Sequence, residues 1–166
     1  MSLVVFVGGV PNAGKSTIAA GLAGAIPHTE FIDGDFVFSE SEEEAFKDFS
    51  LRDQWTKQLE KIVVVINQKV ALNRNVAVAW PLLQSGYDYV KSNITDKARI
   101  YCVFLNPDLA SLGKNRLARP LKESDKERGY DMHAEGYPKQ KFWDLVLDTT
   151  EMLPFDTVRV ITQAIE

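Results

Sequence analysis

Apolar residues fall along this chain in short blocks separated by polar and glycine-rich stretches. Residues 3–7, Leu-Val-Val-Phe-Val, form a β-prone run ended by Gly8-Gly9, the pattern of a strand buried on both faces. Residues 15–25 are rich in Ala and Leu and stop short of Pro27, which predicts a helix. Residues 29–32 read as a short strand leading into Asp33-Gly34-Asp35. Ser41-Glu42-Glu43-Glu44 carries a helix-start signature, a Ser cap with Glu three residues on. A long helix is expected after it, broken near Ser50 and running from residue 53 to about 72. Residues 76–80 and 99–105 are the third and fourth strands, stopped by Pro81 and by Asn106-Pro107, with helices expected over 82–91 and 108–117. Residues 114–128 are densely charged and read as a loop rather than a domain linker. A short strand at 145–147 and an amphipathic helix over 155–165 close the chain.

Strands alternating with helices predict a three-layer α/β/α fold around a five-stranded parallel sheet. In such sheets ligands bind at the carboxyl ends of the strands. The residues that matter most are therefore those just after each strand. With 166 residues and no repeat, the chain is expected to be one domain, which buries roughly 70% of its unfolded surface without disulfide or metal staples. Nineteen basic against 23 acidic residues leave a net charge of −4, which argues against a duplex nucleic-acid partner. Cys102 is the lone cysteine, so no internal disulfide forms, in keeping with a reducing compartment. The longest apolar stretch, residues 62–66, is five residues long against the roughly twenty a membrane helix needs. No Lys or Arg precedes the short run at 3–7, so no signal peptide is read. A cytoplasmic protein, monomeric or weakly dimeric, is expected.

The chemistry is concentrated in residues 9–16. Gly9-Val10-Pro11-Asn12-Ala13-Gly14-Lys15-Ser16 fits G-x-x-x-x-G-K-[ST] throughout, between a buried strand and a helix. The glycines let the backbone curl so that successive N–H groups, including those of Asn12, Ala13 and Gly14, cradle phosphate oxygens. The helix N-terminus adds positive charge. Lys15 is expected to reach the β- and γ-phosphates of ATP, and the Ser16 hydroxyl to ligate Mg²⁺, with Thr17 beside it. The alternative is a chance match in a glycine-rich turn.

GTPases need a D-x-x-G switch and an N-K-x-D motif, and ABC-type ATPases an L-S-G-G-Q stretch; none occurs in this chain. The third strand ends in Val78-Ala79-Trp80-Pro81, without the usual acid, and the acids stand instead in Asp33-Gly34-Asp35. The phosphate loop, running on to Thr17 and followed at this distance by D-G-D, resembles the small-metabolite kinases: shikimate, gluconate and adenylylsulfate kinases and chloramphenicol phosphotransferase. Arg119-Pro120-Leu121 is similar to the R-P-L of the shikimate kinase lid, which sets a lid at about 114–135. Arg128-Gly129-Tyr130 is similar to that family's R…Y, and residues 145–150 to its closing strand. The departures lie in the acceptor pocket. Ala79-Trp80-Pro81 replaces the family's G-G-G, and Phe46-Lys47 its F-R. The resemblance implies a Mg²⁺- and ATP-dependent kinase whose small-molecule acceptor differs from shikimate.

Within that frame Asp33 is expected to orient Mg²⁺ through water. Asp35, two residues on and on the same side of an extended stretch, would take the proton of the attacking hydroxyl; the alternative is a capping turn. Arg116, on the nucleotide, and Arg119 and Arg128 are candidates for binding transition-state charge, against an ordinary solvated loop. Trp80 would floor the acceptor pocket or else belong to the core. Asp148-Thr149-Thr150 would border the adenine. Cys102 reads as an inert buried thiol, and His28 and His133 as surface residues. Rival readings are a cytidylate-like nucleoside-monophosphate kinase, using Arg52, Lys47 and Trp80, and a nucleotide-binding module with no acceptor.

Overall fold

The structure, a computed structural model, describes residues 1–112 and 120–166. Five strands form one parallel sheet: β1 (Ser2–Gly9), β2 (Thr29–Asp33), β3 (Asn75–Ala79), β4 (Ala98–Leu105) and β5 (Leu145–Leu147), in the order β2-β3-β1-β4-β5. Between them run α1 (Lys15–Ala25), α2 (Glu40–Phe46), α3 (Leu51–Ala71), α4 (Gln84–Asn93), α5 (Glu123–Ala134) and α6 (Pro154–Ile165). Helix α1 packs on α6, and α3 on α4, and the five-stranded parallel sheet is the middle of three layers, the α/β/α fold expected from the sequence. The central strand explains why: Val4, Val5, Phe6 and Val7 are all at most 1% exposed. A strand with no polar face must be covered on both sides. Helices α1 and α3 supply Ile18, Leu22, Ile62 and Ile66 to that cover.

The register lines up the ends of the strands. Asp33 is paired with Ala79, Ala79 with Val7, and Gly9 with Leu105, which lies beside Leu147. The D-G-D turn, the phosphate loop and the turns after β4 and β5 therefore share one edge of the sheet.

Four expectations change. The helix cap is Ser39, not Ser41: its hydroxyl accepts from the Glu42 N–H (3.3 Å), and the Glu42 carboxylate accepts from the Ser39 N–H (2.8 Å). Both registers satisfy the signature. Phe38, whose ring lies 5.2 Å from that of Phe46, fixes the chain entry two residues earlier. Second, the break near Ser50 is present as expected, but the helix after it starts at Leu51 rather than at residue 53, because Ser50 caps α3 by accepting from the Asp53 N–H (3.1 Å). Third, the helix expected over 108–117 is, in its described part, a 3₁₀ turn at Leu109–Ser111. Asp108 caps it, and Leu112 leaves it in a non-helical conformation (φ −59°, ψ 114°). Fourth, the end of the expected charged loop, from residue 123 on, is helical, because α5 starts at Glu123. Glu123 and Asp125 in its first turn suit the helix dipole, and buried Gly129 and Met132 anchor it.

Cys102 is buried in β4, and burial, with the Asp144 charge beside it, pushes its thiol up to about 12. The thiol stays protonated at neutral pH, in line with an inert side chain. No helix among the described residues is long and apolar enough to cross a membrane.

Candidate active site

The phosphate loop is wound tightly between β1 and α1. A Cβ on Gly9 would stand 3.0 Å from both the Ala13 Cβ and the Leu105 carbonyl oxygen, so no other residue fits without displacing the loop. Gly14 holds a left-handed conformation (φ 95°, ψ 19°) and Asn12 another (φ 63°), which turn successive N–H groups toward the loop interior. The Ala13 N–H donates to the Val10 carbonyl (3.1 Å), closing the turn. Lys15 Nζ also donates to the Val10 carbonyl (3.0 Å), folding the ammonium back over the loop. Helix α1 has no side-chain cap. The positive end of its dipole points into the loop, the arrangement that suits an anion. Ser16 and Thr17 are exposed in its first turn.

The D-G-D turn meets this loop directly. Ser16 Oγ donates to Asp33 Oδ2 (2.7 Å), and Asp33 Oδ1 accepts from the Asp35 N–H (3.1 Å). Asp33 thus holds the phosphate loop with one oxygen and its own turn with the other. The stretch is not extended, as expected, but a 3₁₀ turn at Gly34–Phe36 with Asp33 as its cap. The cap is therefore Asp33, the residue expected beside Mg²⁺, while Asp35, the expected base, gives the turn its backbone N–H. Asp35 is exposed at the rim.

Trp80 lies behind this turn, 7% exposed, with its N–H donating to the Val7 carbonyl (3.2 Å). Its ring fills the space where a Gly34 side chain would stand: a Cβ there would overlap Trp80 Cε3 and come 3.0 Å from the Ala79 carbonyl oxygen. Gly34→Ala is expected to destabilise the fold by about 1–3 kcal/mol, because neither the backbone nor the buried ring can retreat. A urea denaturation midpoint measures it. A midpoint equal to that of the parent would show that the ring is not confined.

Arg128 in α5 is partly buried. Nη1 donates to Glu135 Oε1 (2.7 Å), and Nη2 lies 3.5 Å from Glu135 Oε2 and from the Tyr137 hydroxyl. The rings of Trp55 and Tyr137 stand 5.6 and 5.8 Å from the guanidinium. Burial works against this charge, but the hydrogen bond and charge of Glu135 outweigh it and keep the arginine's pKa above its ordinary value. The next residue, Gly129, faces the phosphate loop, where a Cβ would lie 3.8 Å from Val10 Cβ. Arg116 and Arg119 lie outside the described residues.

A cleft of about 410 Å³ opens beside the loop, between the turns after β4 and β5 and helix α5, lined by Asn106, Pro107, Asp108, Tyr130, His133 and Asp148. Thr150 Oγ1 ties the two turns together: it donates to Asp148 Oδ1 (2.6 Å) and accepts from the Asp108 N–H (2.8 Å). The Thr150 hydroxyl first, and the Thr150 backbone N–H donating to the same oxygen (3.0 Å), hold the Asp148 carboxyl below its usual range. Asn106 Oδ1 and His133 Nε2 are buried there without a hydrogen-bond partner. His133 is thus not the ordinary surface residue its sequence context suggests. Tyr87 stacks on Phe142 at 4.6 Å and Lys47 pairs with Glu44, so both are engaged within the fold.

No protein-family model and no curated protein matches the chain. Solved structures do. A sugar kinase from Janibacter sp. superposes with a TM-score of 0.74 at 16% identity, covering 99% of this chain and 95% of that one. A gluconokinase from Sinorhizobium meliloti gives 0.69 at 20%, over 98% and 90%. A shikimate kinase from Bacteroides thetaiotaomicron gives 0.60 at 19%, over 98% of each. At such identities the likeness is one of fold.

Proposed function

We propose that this chain is a kinase that moves the γ-phosphoryl group of ATP to a hydroxyl of a small molecule. One observation carries the reading: Ser16 of the phosphate loop and Asp33 of the D-G-D turn are hydrogen bonded at 2.7 Å. A loop built for phosphate and a turn bearing two carboxylates therefore face one another. A plain nucleotide binder has no need of the second carboxylate, Asp35.

The residues suit Mg²⁺. Ser16 Oγ and the Asp33 carboxylate are hard oxygen donors, and this ion takes only one or two protein ligands when phosphates supply others. When bound, Mg²⁺ neutralises charge on the β- and γ-phosphates. Lys15 neutralises further charge as its ammonium swings from the Val10 carbonyl to the phosphates. The N–H groups of residues 12–16 orient the phosphate chain. Asp35 accepts the proton of the acceptor hydroxyl, so that the attacking oxygen carries negative charge as the bond to phosphorus forms. The adenine lies in the cleft at Asn106 and Asp148, whose apolar and polar lining suits a base. Arg116 and Arg119 are assigned to the transferring phosphoryl group and the nucleotide. The acceptor lies against Asp35 and the α3–α5 side, with Trp80 supporting the turn from behind.

ADP release with Mg·ATP, measured across sugar acids, polyols, shikimate, adenylylsulfate, nucleosides and nucleoside monophosphates, tests the reading. One class is expected to raise release above the acceptor-free rate. Lys15→Ala is expected to lower that turnover by about 10²–10³, the usual cost of removing one donor from developing charge. A parent protein that binds ATP yet releases no more ADP with any acceptor would favour the module without an acceptor.

A further inference from the structure

The side of the site where the acceptor would lie has an unusual charge arrangement. Residues 33–61, from the D-G-D turn through α2 into α3, carry nine acidic and four basic residues. Three of those four bases are already paired: Lys47 with Glu44, Lys57 with Glu60 and Lys61 with Glu42. Arg52 is the exposed exception among the described residues. Across from α3, the Arg128 guanidinium stands over the Trp55 ring, one residue before Gly129, where an added Cβ would lie 3.8 Å from Val10 Cβ. It too is engaged, by both oxygens of Glu135, while Trp55 and Tyr137 cover its guanidinium from the sides.

Resting on the kinase reading, we infer that Glu135 is a specificity residue of the acceptor side: by holding Arg128 it turns away acceptors that carry a carboxylate or phosphate and leaves the site to uncharged or amine-bearing alcohols. An incoming carboxylate would have to break the Arg128–Glu135 pair and then stand beside the displaced Glu135. Like charge and a lost charge-assisted bond both oppose it. A neutral alcohol leaves the pair intact and meets the exposed edge of Trp55.

Matched probes test this: D-gluconate against D-glucitol, and shikimate against its methyl ester. Binding is measured by titration calorimetry with Mg²⁺ and a non-hydrolysable ATP analogue, in the parent and in Glu135→Gln. Glu135 is a half-exposed surface residue, so the variant should fold, and its melting temperature verifies that. The parent is expected to bind each neutral probe at least as tightly as its acid. Glu135→Gln is expected to tighten the acids about 10- to 100-fold, the worth of a hydrogen bond to a released charge, with the neutral probes unchanged. A parent that prefers the acids overturns the inference, and loss of that preference in Arg52→Ala would move the anion site to α3. An unchanged acid-to-neutral ratio in Glu135→Gln overturns it as well, as does failure of that variant to bind any acid. The readout is a binding ratio. A failure of phosphoryl transfer itself would appear instead as absent ADP release with the ratio still shifted.

Discussion

Asp35→Asn is expected to lower acceptor phosphorylation by about 10²–10⁴, the usual worth of a positioned general base, while nucleotide affinity stays within about twofold. The exchange is nearly isosteric, and the tether of the turn runs from the Asp35 backbone N–H to Asp33 Oδ1 (3.1 Å), so the turn survives the loss of the carboxylate. What disappears is the group able to take a proton. The Ser16–Asp33 contact (2.7 Å) does not involve the Asp35 carboxylate, which is why binding should persist. Single-turnover transfer and the nucleotide dissociation constant, measured side by side, separate the two. A fall in turnover of less than tenfold would remove Asp35 from the chemistry. A parallel loss of nucleotide binding would make the residue a brace of the turn rather than a base.

The parts of this fold that could be read from sequence are those set by local rules. The phosphate loop is one: its glycines, its lysine and its hydroxyl act within eight consecutive residues, so spacing alone carries the chemistry. The strands are another, because a run such as Val4 to Val7 has no polar face to expose. What escaped detection depends on contacts between distant residues. The choice of Ser39 over Ser41 as cap follows from Phe38 meeting Phe46. Helix α5 buries only Gly129 and Met132, too few apolar positions to make a helical stripe. Glu135 stands seven residues beyond Arg128, two turns along, and nothing in that spacing distinguishes their pairing from a solvated charge until Trp55 is brought alongside. The burial of Asn106 Oδ1 and His133 Nε2 likewise exists only once β4, β5 and α5 have met.

Trp143→Ala is expected to destabilise the protein by about 3–5 kcal/mol, at the upper end of large-to-small core exchanges. The ring is 8% exposed and packs on Phe104 (5.1 Å between centroids) and Phe142 (4.6 Å). Its Nε1–H donates to the Tyr137 carbonyl (2.7 Å), so the change also removes the shorter of that carbonyl's two bonds and leaves it the Gln140 N–H at 3.5 Å. It reaches β1 as well: a Cβ on Gly8 would stand 2.5 Å from Trp143 Cη2, so the indole fills the space that Gly8 leaves, one residue before the phosphate loop begins. Urea denaturation with and without nucleotide tests both consequences. Without nucleotide the midpoint should fall; a loss below about 1 kcal/mol would mean that the cavity collapses without strain. A ligand at a hundred times its dissociation constant adds about 2.7 kcal/mol to any fold that binds it. The same increment in the variant would show that Gly8 keeps its place without the ring and that the loop is set by its own glycines. A smaller increment at the same nucleotide concentration would show that the indole under Gly8 helps to shape the phosphate loop, coupling the packing between β1 and β5 to nucleotide binding.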